Sequence, residues 1–307
     1  MRKSLHAFRK ETAIYRTAED RILEAIIAVV MVITLILTIY PFYYILVISF
    51  NDGSDAMRGG IYFFPRVFTL DNYSKFLNDT KWISAIGISV SRTLIGTIVT
   101  VFFTCLVAYA MSFRDLALRK TYYGLMLFCM YFSGGLIPFY LTLREYGLLN
   151  TFWVYVIPGM FSIYYMILAV SFFQSMPKPL IESAYLDGAS DMTIYLRIIL
   201  PLSKPLLATL ALYAAVWQWN NWTDTAYYTI ANPSLRTLSY LLRDVILANE
   251  TGVRGVTSSS ESGVLLTVTS KSIQMAAMVV ATLPIMCVYP FLQKYFIKGI
   301  MLGAVKG

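Results

Sequence analysis

Six apolar stretches constrain this chain more than anything else in it. A helix rising 1.5 Å per residue needs roughly 17–25 apolar residues to cross ~30 Å of hydrocarbon. The first stretch runs from Ile22 to Ser49 and continues past Pro41, and the second from Ile83 to Met111. The third, Tyr122 to Leu143, is softly broken by Gly134, Gly135 and Pro138, and the fourth, Phe152 to Phe173, contains Pro158. The fifth is Leu206 to Trp222 and the sixth Ile273 to Phe296, with Pro284 and Pro290 inside. In lipid the backbone must satisfy its own hydrogen bonds, so the pattern predicts an all-α, polytopic membrane protein with six transmembrane helices over 22–296. Composition agrees: of 307 residues 58% are apolar and 14% charged, against about half and a quarter in a soluble domain. Mean hydropathy is +0.63. A disordered chain, a disulfide scaffold and a soluble enzyme are thereby excluded. The first stretch is too long for a signal peptide, and no small-residue cleavage site follows it.

Basic residues set the orientation. Fifteen of the 25 Lys and Arg lie in the N-terminal tail, in the loops after the second and fourth stretches, and beyond the sixth; nine lie in the other three loops. By the positive-inside rule both termini are predicted to be cytoplasmic, with a basic tail over 1–21 and a second tail over 297–307. Topology also accounts for the net charge of +8, so no nucleic-acid partner is expected. The outer loops are then Asn51–Lys81, Arg144–Thr151 and a long one over 223–272, whose Gly- and Ser-rich part, Gly252–Gly263, is predicted to be mobile. Trp82, Trp153 and Trp222 fall at outer ends of spans, as an aromatic belt would place them. The tail, with Leu5, Phe8, Ile14 and Tyr15 among its basic residues, either lies on the inner leaflet or is disordered. His6 has no ligand partners around it, and Glu24 sits near the inner membrane edge. Cys105, Cys129 and Cys287 lie in apolar runs without a CxxC pair, which reads as core packing. No metal site is expected.

The loop between the fourth and fifth stretches (175–205) is too polar to span and too long for a plain connection. Pro177 and Pro179 open one short helix; Gly188 breaks it; Asp191 is positioned to cap a second, ending before Pro201. Small residues at 183, 184, 188 and 189, with charges at Glu182 and Asp187, suit docking into another protein's groove. An amphipathic loop lying on the inner leaflet fits the residues equally.

Glu182-Ser183-Ala184, three residues, Gly188, nine residues, then Ile198-Ile199-Leu200-Pro201 resembles the EAA loop of permease subunits in binding-protein-dependent ABC importers. Ser183 in place of the second alanine is the one departure. Phe64-Pro65, Thr69-Leu70-Asp71-Asn72-Tyr73, Ala108-Tyr109-Ala110, Gly147-Leu148-Leu149-Asn150-Thr151 and the terminal Lys298–Gly307 segment are similar to the maltose-permease-like, carbohydrate-uptake branch, within it to importers of oligosaccharides or polysaccharide fragments. The resemblance implies a multi-pass subunit of the bacterial cell membrane. It would pair with a second, homologous permease, an ATPase dimer and an extracellular sugar-binding protein. ATP and Mg would reside on the ATPase, with no cofactor and no catalytic residue on this chain. The loop residues implied in ATPase coupling are Glu182, Ser183, Ala184, Asp187, Gly188, Ala189, Leu200 and Pro201. Glu182 would meet a basic residue of the ATPase, and Gly188 would set the angle of the helix.

For the sugar path, Trp217, Gln218, Asn220 and Asn221 supply the aromatic faces and amides that carbohydrates need. An interfacial aromatic belt explains the same cluster. At helical spacing Trp217, Asn220 and Asn221 share one face, while Gln218 and Trp222 share another. Arg92, deep in the second stretch, either lines the sugar route or anchors a subunit contact, because an intramembrane charge is costly. The Pro and Gly residues inside spans are bending points or packing features. Two other functions compete. An intramembrane enzyme would need paired acids, a metal motif or a Ser/His pair at membrane depth; a secondary carrier or channel acting without an ATPase would show intramembrane acid pairs and an internal repeat. Neither set is evident, and no GxxxxGK[ST] phosphate loop is present.

Overall fold

The computed structural model describes residues 18–250 and 269–304. Helix α1 (Ala18–Ser49) has 32 residues and carries Pro41 inside it. The first loop folds into α2 (Gly53–Met57) and α3 (Asp71–Asn78). Helix α4 (Thr80–Ser112) has 33 residues, about 50 Å at 1.5 Å per residue. Then come α5 (Arg119–Tyr131), α6 (Leu136–Glu145) and α7 (Ile163–Gln174). Two short helices, α8 (Lys178–Leu186) and α9 (Asp191–Leu202), lead into α10 (Lys204–Asn220). The chain ends with α11 (Thr223–Tyr228), α12 (Leu238–Glu250) and α13 (Ser270–Ala304). Among the described residues the only β pairing is an isolated bridge between Asn51 and Phe68.

The fold class is as the sequence implies, but the spans are less regular than six plain helices. Three helices, α1, α4 and α13, are each long and apolar enough to cross a membrane unbroken. Helices α5 and α6 meet at 113°, and α9 and α10 at 83°. The third stretch is therefore sharply broken rather than softened. Pro138 falls in the first turn of α6, where a helix needs no backbone N–H, so it starts a helix instead of bending one. The fourth stretch is not one helix: a 3₁₀ turn over Phe152–Tyr155 and irregular backbone precede α7, which has 12 residues. The helix expected to stop at Phe296 runs on to Ala304, so most of the second tail is helical. At the other end residues 18–21 begin α1. Residues 1–17, 251–268 and 305–307, including His6 and the Gly/Ser-rich stretch, lie outside the described residues.

Helix α4 is the axis of the bundle, with α7 and α10 packed along it. Its face toward them carries Ser89, Arg92, Gly96, Thr100 and Thr104, all buried, at helical spacing. These polar groups compensate the broken fourth stretch. Thr100 Oγ1 donates to the Gly159 carbonyl at 2.7 Å, and Thr104 Oγ1 accepts the Ser162 N–H at 3.1 Å. Irregular backbone is tolerated at membrane depth where such groups cover it. Nearer the α8–α9 end, Cys105, Ala108 and Tyr109 of α4 form one core with Met166, Ala169 and Phe173 of α7 and Leu206 and Leu210 of α10. At the opposite end, which α2, α3 and α12 cap, Phe76, Trp82, Ala85, Leu238 and Ala277 form another. Trp82 is thus a buried core residue whose ring lies tilted against Phe76 with centroids 5.0 Å apart, not a belt residue. Trp153 is exposed.

The Thr69–Tyr73 segment closes the cap. Asn72 Nδ2 donates to the carbonyls of Ser49 and Asn51, both at 2.9 Å, and Tyr73 and Ser49 hydroxyls bond at 2.7 Å. Asp52 caps α2 through the N–H groups of Ser54 and Asp55. The hydrogen bond from the Ser54 hydroxyl helps hold the Asp52 carboxyl below its ordinary range. Helix α1 is exposed over most of its length and buries only Val47, Ile48 and Ser49 at the cap, leaving a long apolar face outward.

Candidate functional site

Two regions carry the candidate residues, one at each end of α4. At the first, Pro177 is extended and α8 ends in a Schellman turn. Gly188 has φ +78°; its N–H donates to the Tyr185 carbonyl at 3.0 Å, and the Ala189 N–H donates to the Ala184 carbonyl at 3.0 Å. That left-handed conformation is one glycine adopts without a Cβ penalty. No atom lies within 4 Å of where a Gly188 Cβ would stand, so the requirement is conformational rather than steric. Ser190, not Asp191, caps α9, accepting the Thr193 N–H at 3.4 Å. Asp191 instead accepts the Tyr185 hydroxyl, tying α9 to α8 across the glycine turn. That carboxylate acceptor pushes the Tyr185 hydroxyl well above its ordinary range.

The second short helix does not stop before Pro201; it widens into a π-turn over Tyr195–Ile199 and continues to Leu202. Pro201 has no N–H, and its ring would crowd the carbonyl four residues back. The wider turn accommodates both. The 83° bend follows at Ser203, whose hydroxyl donates to the Ile199 carbonyl at 2.6 Å.

The loop has two distinct faces. Glu182, Ser183, Asp187 and Gly188 are exposed, and Leu186 is 90% exposed. Ala184 is buried in the bundle core with Tyr109, Ile194 and Tyr195, and Ala189 and Leu200 pack half-buried against it. So the small side chain of Ala184 serves close approach of the loop to its own bundle, not to another protein. Pro201 is exposed. Tyr195 stacks on Tyr109 with ring centroids 5.3 Å apart, fastening α9 to α4.

At the cap end, an open cavity of about 910 Å³ lies between α4, α7, α10 and α13. Six rings, those of Tyr164, Tyr165, Tyr213, Trp217, Trp219 and Trp222, line it with Thr93, Asn220, Asn221 and Thr223. Trp217 is half exposed and Asn220 is exposed. Asn221 faces the cavity too, but its side-chain oxygen accepts the N–H groups of Thr223 and Asp224 and so opens α11. Trp222 lies beyond the end of α10, which lets it reach the same cavity, under the Arg243 guanidinium at 3.8 Å.

Arg92 and Gln218 do not face that cavity. Both are buried and bonded to each other: Arg92 Nε donates to Gln218 Oε1 at 3.0 Å. Arg92 also donates to the Asn221 carbonyl at 2.9 Å and to Asp224 Oδ2 at 2.7 Å, and its guanidinium lies 4.4 Å over the Tyr155 ring. Gln218 Nε2 donates to the Tyr155 carbonyl at 3.1 Å. Tyr155 in turn bonds Thr225, Thr229 and the Leu235 carbonyl. Arg92 is therefore an internal strut that binds α4 to the end of α10 and to α11, rather than a wall of a sugar route or a contact to another subunit. A Cβ at Gly96 would lie 2.4 Å from Gln218 Nε2, so glycine there is what allows Gln218 to reach both partners.

The sequence reading missed Asp224 and Tyr155. Neither residue carries a local signal; a lone intramembrane arginine does imply a buried partner, and the acid just beyond the fifth stretch was the one to pair with it. A second, smaller cavity of about 230 Å³ lies beside the strut, lined by Phe139, Val154, Tyr155, Pro158, Gly159, Trp217, Asp224 and Tyr228.

Residues 108–301 match the family described as binding-protein-dependent transport system inner membrane component. The chain is 39% identical to the protein LplC of Bacillus subtilis over 88% of its length and 90% of that protein. It is 35% identical to the polygalacturonan/rhamnogalacturonan transport system permease protein YtcP of B. subtilis, over 94% of its length and 100% of that protein. Among solved structures, it superposes with a TM-score of 0.84 on a chain of a bacterial ABC transporter involved in the import of the acidic polysaccharide alginate. That match covers 92% of this chain and 99% of the other at 27% identity.

Proposed function

Because this chain belongs to the family of binding-protein-dependent transport system inner membrane components, we propose that it forms half of a sugar pathway worked by a separate ATPase through α8. It is a permease subunit of an importer and spans the cell membrane several times. Its cargo is an oligosaccharide or a polysaccharide fragment, the class that the names of its relatives carry. A second permease completes the pathway, an extracellular binding protein delivers the sugar, and two ATPase subunits hold ATP and Mg. The α8–α9 loop lies on the cytoplasmic side with both termini.

The observation that carries this reading is the exposed face of α8. Glu182, Ser183, Leu186 and Asp187 point away from the bundle while Ala184 and Tyr195 anchor the loop to α4 and α7. Closure of the ATPase subunits on ATP would displace α8. Its hydrogen-bonded turn to α9 and the Tyr109–Tyr195 stack carry that displacement into α4 and α10, the helices that wall the large cavity. This is a two-state element biased from a distant site. Pull-down of the tagged permease from membranes tests it: an ATPase and a second permease accompany the intact chain. A chain that purifies alone and still accumulates sugar in vesicles would contradict it.

A further inference from the structure

The smaller cavity lies beside the Arg92–Asp224 pair. It is separated from the large cavity by Trp217, which lines both. Aromatic rings of Phe139, Tyr155, Trp217 and Tyr228 form its walls. The one charged group in its lining is the Asp224 carboxylate, whose Oδ2 accepts from Arg92 at 2.7 Å while 16% of the side chain stays open. The hydroxyl of Tyr155 is committed to Thr225, Thr229 and the Leu235 carbonyl, so it offers the cavity its ring. Among the described residues no Lys, Arg or His lines either cavity, and Arg92 stands behind Asp224, fully buried.

Apolar rings against one fixed acceptor are what a sugar ring requires: CH faces pack on the aromatics, and hydroxyls donate to the carboxylate. A uronate carboxylate entering the same space would meet Asp224 with no cation among the described lining residues to neutralise it, and burying an unpaired charge is costly. We infer that the cavity bounded by Phe139, Trp217, Asp224 and Tyr228 is a subsite for one uncharged sugar ring, with Asp224 as acceptor of its hydroxyls and Arg92 as the positioning residue behind it. The inference rests on the sugar-importer reading and narrows it. The wall this subunit contributes selects neutral sugar units, in contrast to the acidic polymers named for YtcP and for the alginate transporter.

The assembled importer, with an ATPase that binds but cannot hydrolyse ATP and without the binding protein, isolates the affinity of the permeases. Calorimetric titration with arabinopentaose and with pentagalacturonate should show binding of the neutral sugar at least about ten-fold tighter than the acidic one. Asp224→Asn should weaken the neutral sugar about ten-fold. Trp217→Ala, which removes a half-exposed wall without touching the Arg92 contacts, should do likewise and serves if the asparagine variant fails to assemble. Equal affinity for the two pentasaccharides, binding of neither, or unchanged affinity in Trp217→Ala overturns the subsite. Uptake by the complete importer with its binding protein separates the two levels. Transport of an oligosaccharide of either series leaves the sugar-importer reading standing whatever the titration shows, and transport of none removes both.

Discussion

The two ends of α4 use charge in opposite ways. At the α8–α9 end Glu182 and Asp187 are exposed and the turn beside them is glycine in open space; the structure spends nothing on them internally. At the cap end Arg92, Gln218 and Asp224 satisfy one another, and the helices approach so closely that Gly96 has no room for a Cβ. The contrast separates two reasons for finding a polar residue in a membrane protein. One holds the fold together and is recognised by completed partners. The other is left without an internal task and is available to something outside.

Substitutions should divide along the same line. The largest effect belongs to the strut. Arg92→Ala leaves the half-buried Asp224 without its counter-charge and should destabilise the subunit by about 3 kcal/mol, read as a lower unfolding temperature in detergent and loss of chain from the membrane. The paired replacement of Arg92 by Met with Asp224 by Leu should cost much less than the single change, because a buried pair contributes little once both charges are gone. Next, Gly96→Ala forces Gln218 out of its bonds to Arg92 and Tyr155 and should cost about 1–3 kcal/mol, with the same readout.

At the other end, Gly188→Val places a branched residue in the left-handed region at a local cost of about 1–2 kcal/mol. Membrane insertion should remain normal while the ATPase no longer co-purifies and uptake is abolished. Normal uptake by that variant would erase the distinction between the two ends. Smallest is Tyr185→Phe, which removes the hydroxyl bonded to Asp191. It should cost about 1 kcal/mol or less, since the bond is partly exposed, and lower the sugar moved per ATP hydrolysed without preventing assembly.

How much of this was legible in the sequence follows from the same contrast. The helical class, the loop with its glycine turn and the shared face of Trp217, Asn220 and Asn221 could all be read, because each depends on spacing within one segment. Local chemistry did not reveal the 113° break between α5 and α6, the unwound backbone before α7 or the inward turn of Ala184. Those depend on Thr100, Thr104 and Tyr109 of a different helix. Arg92 was correctly singled out as costly, yet its partner Asp224 lies 132 positions away. Pairing at that distance leaves no periodic trace. The cap of α9 was placed one residue late, since Ser190 and Asp191 are both good capping residues and only the bond from Tyr185 decides between them.

The central claim is that the exposed face of α8 is where the ATPase holds this subunit. Leu186 is 90% exposed in the middle of that face, so Leu186→Cys carrying a short photo-crosslinker, in the complete importer in native membranes, tests it most directly. The account predicts a crosslinked product containing the nucleotide-hydrolysing subunit, with its yield changing between nucleotide-free and ATP-bound states. Crosslinks to lipid alone, with none to that subunit in either state, would contradict it.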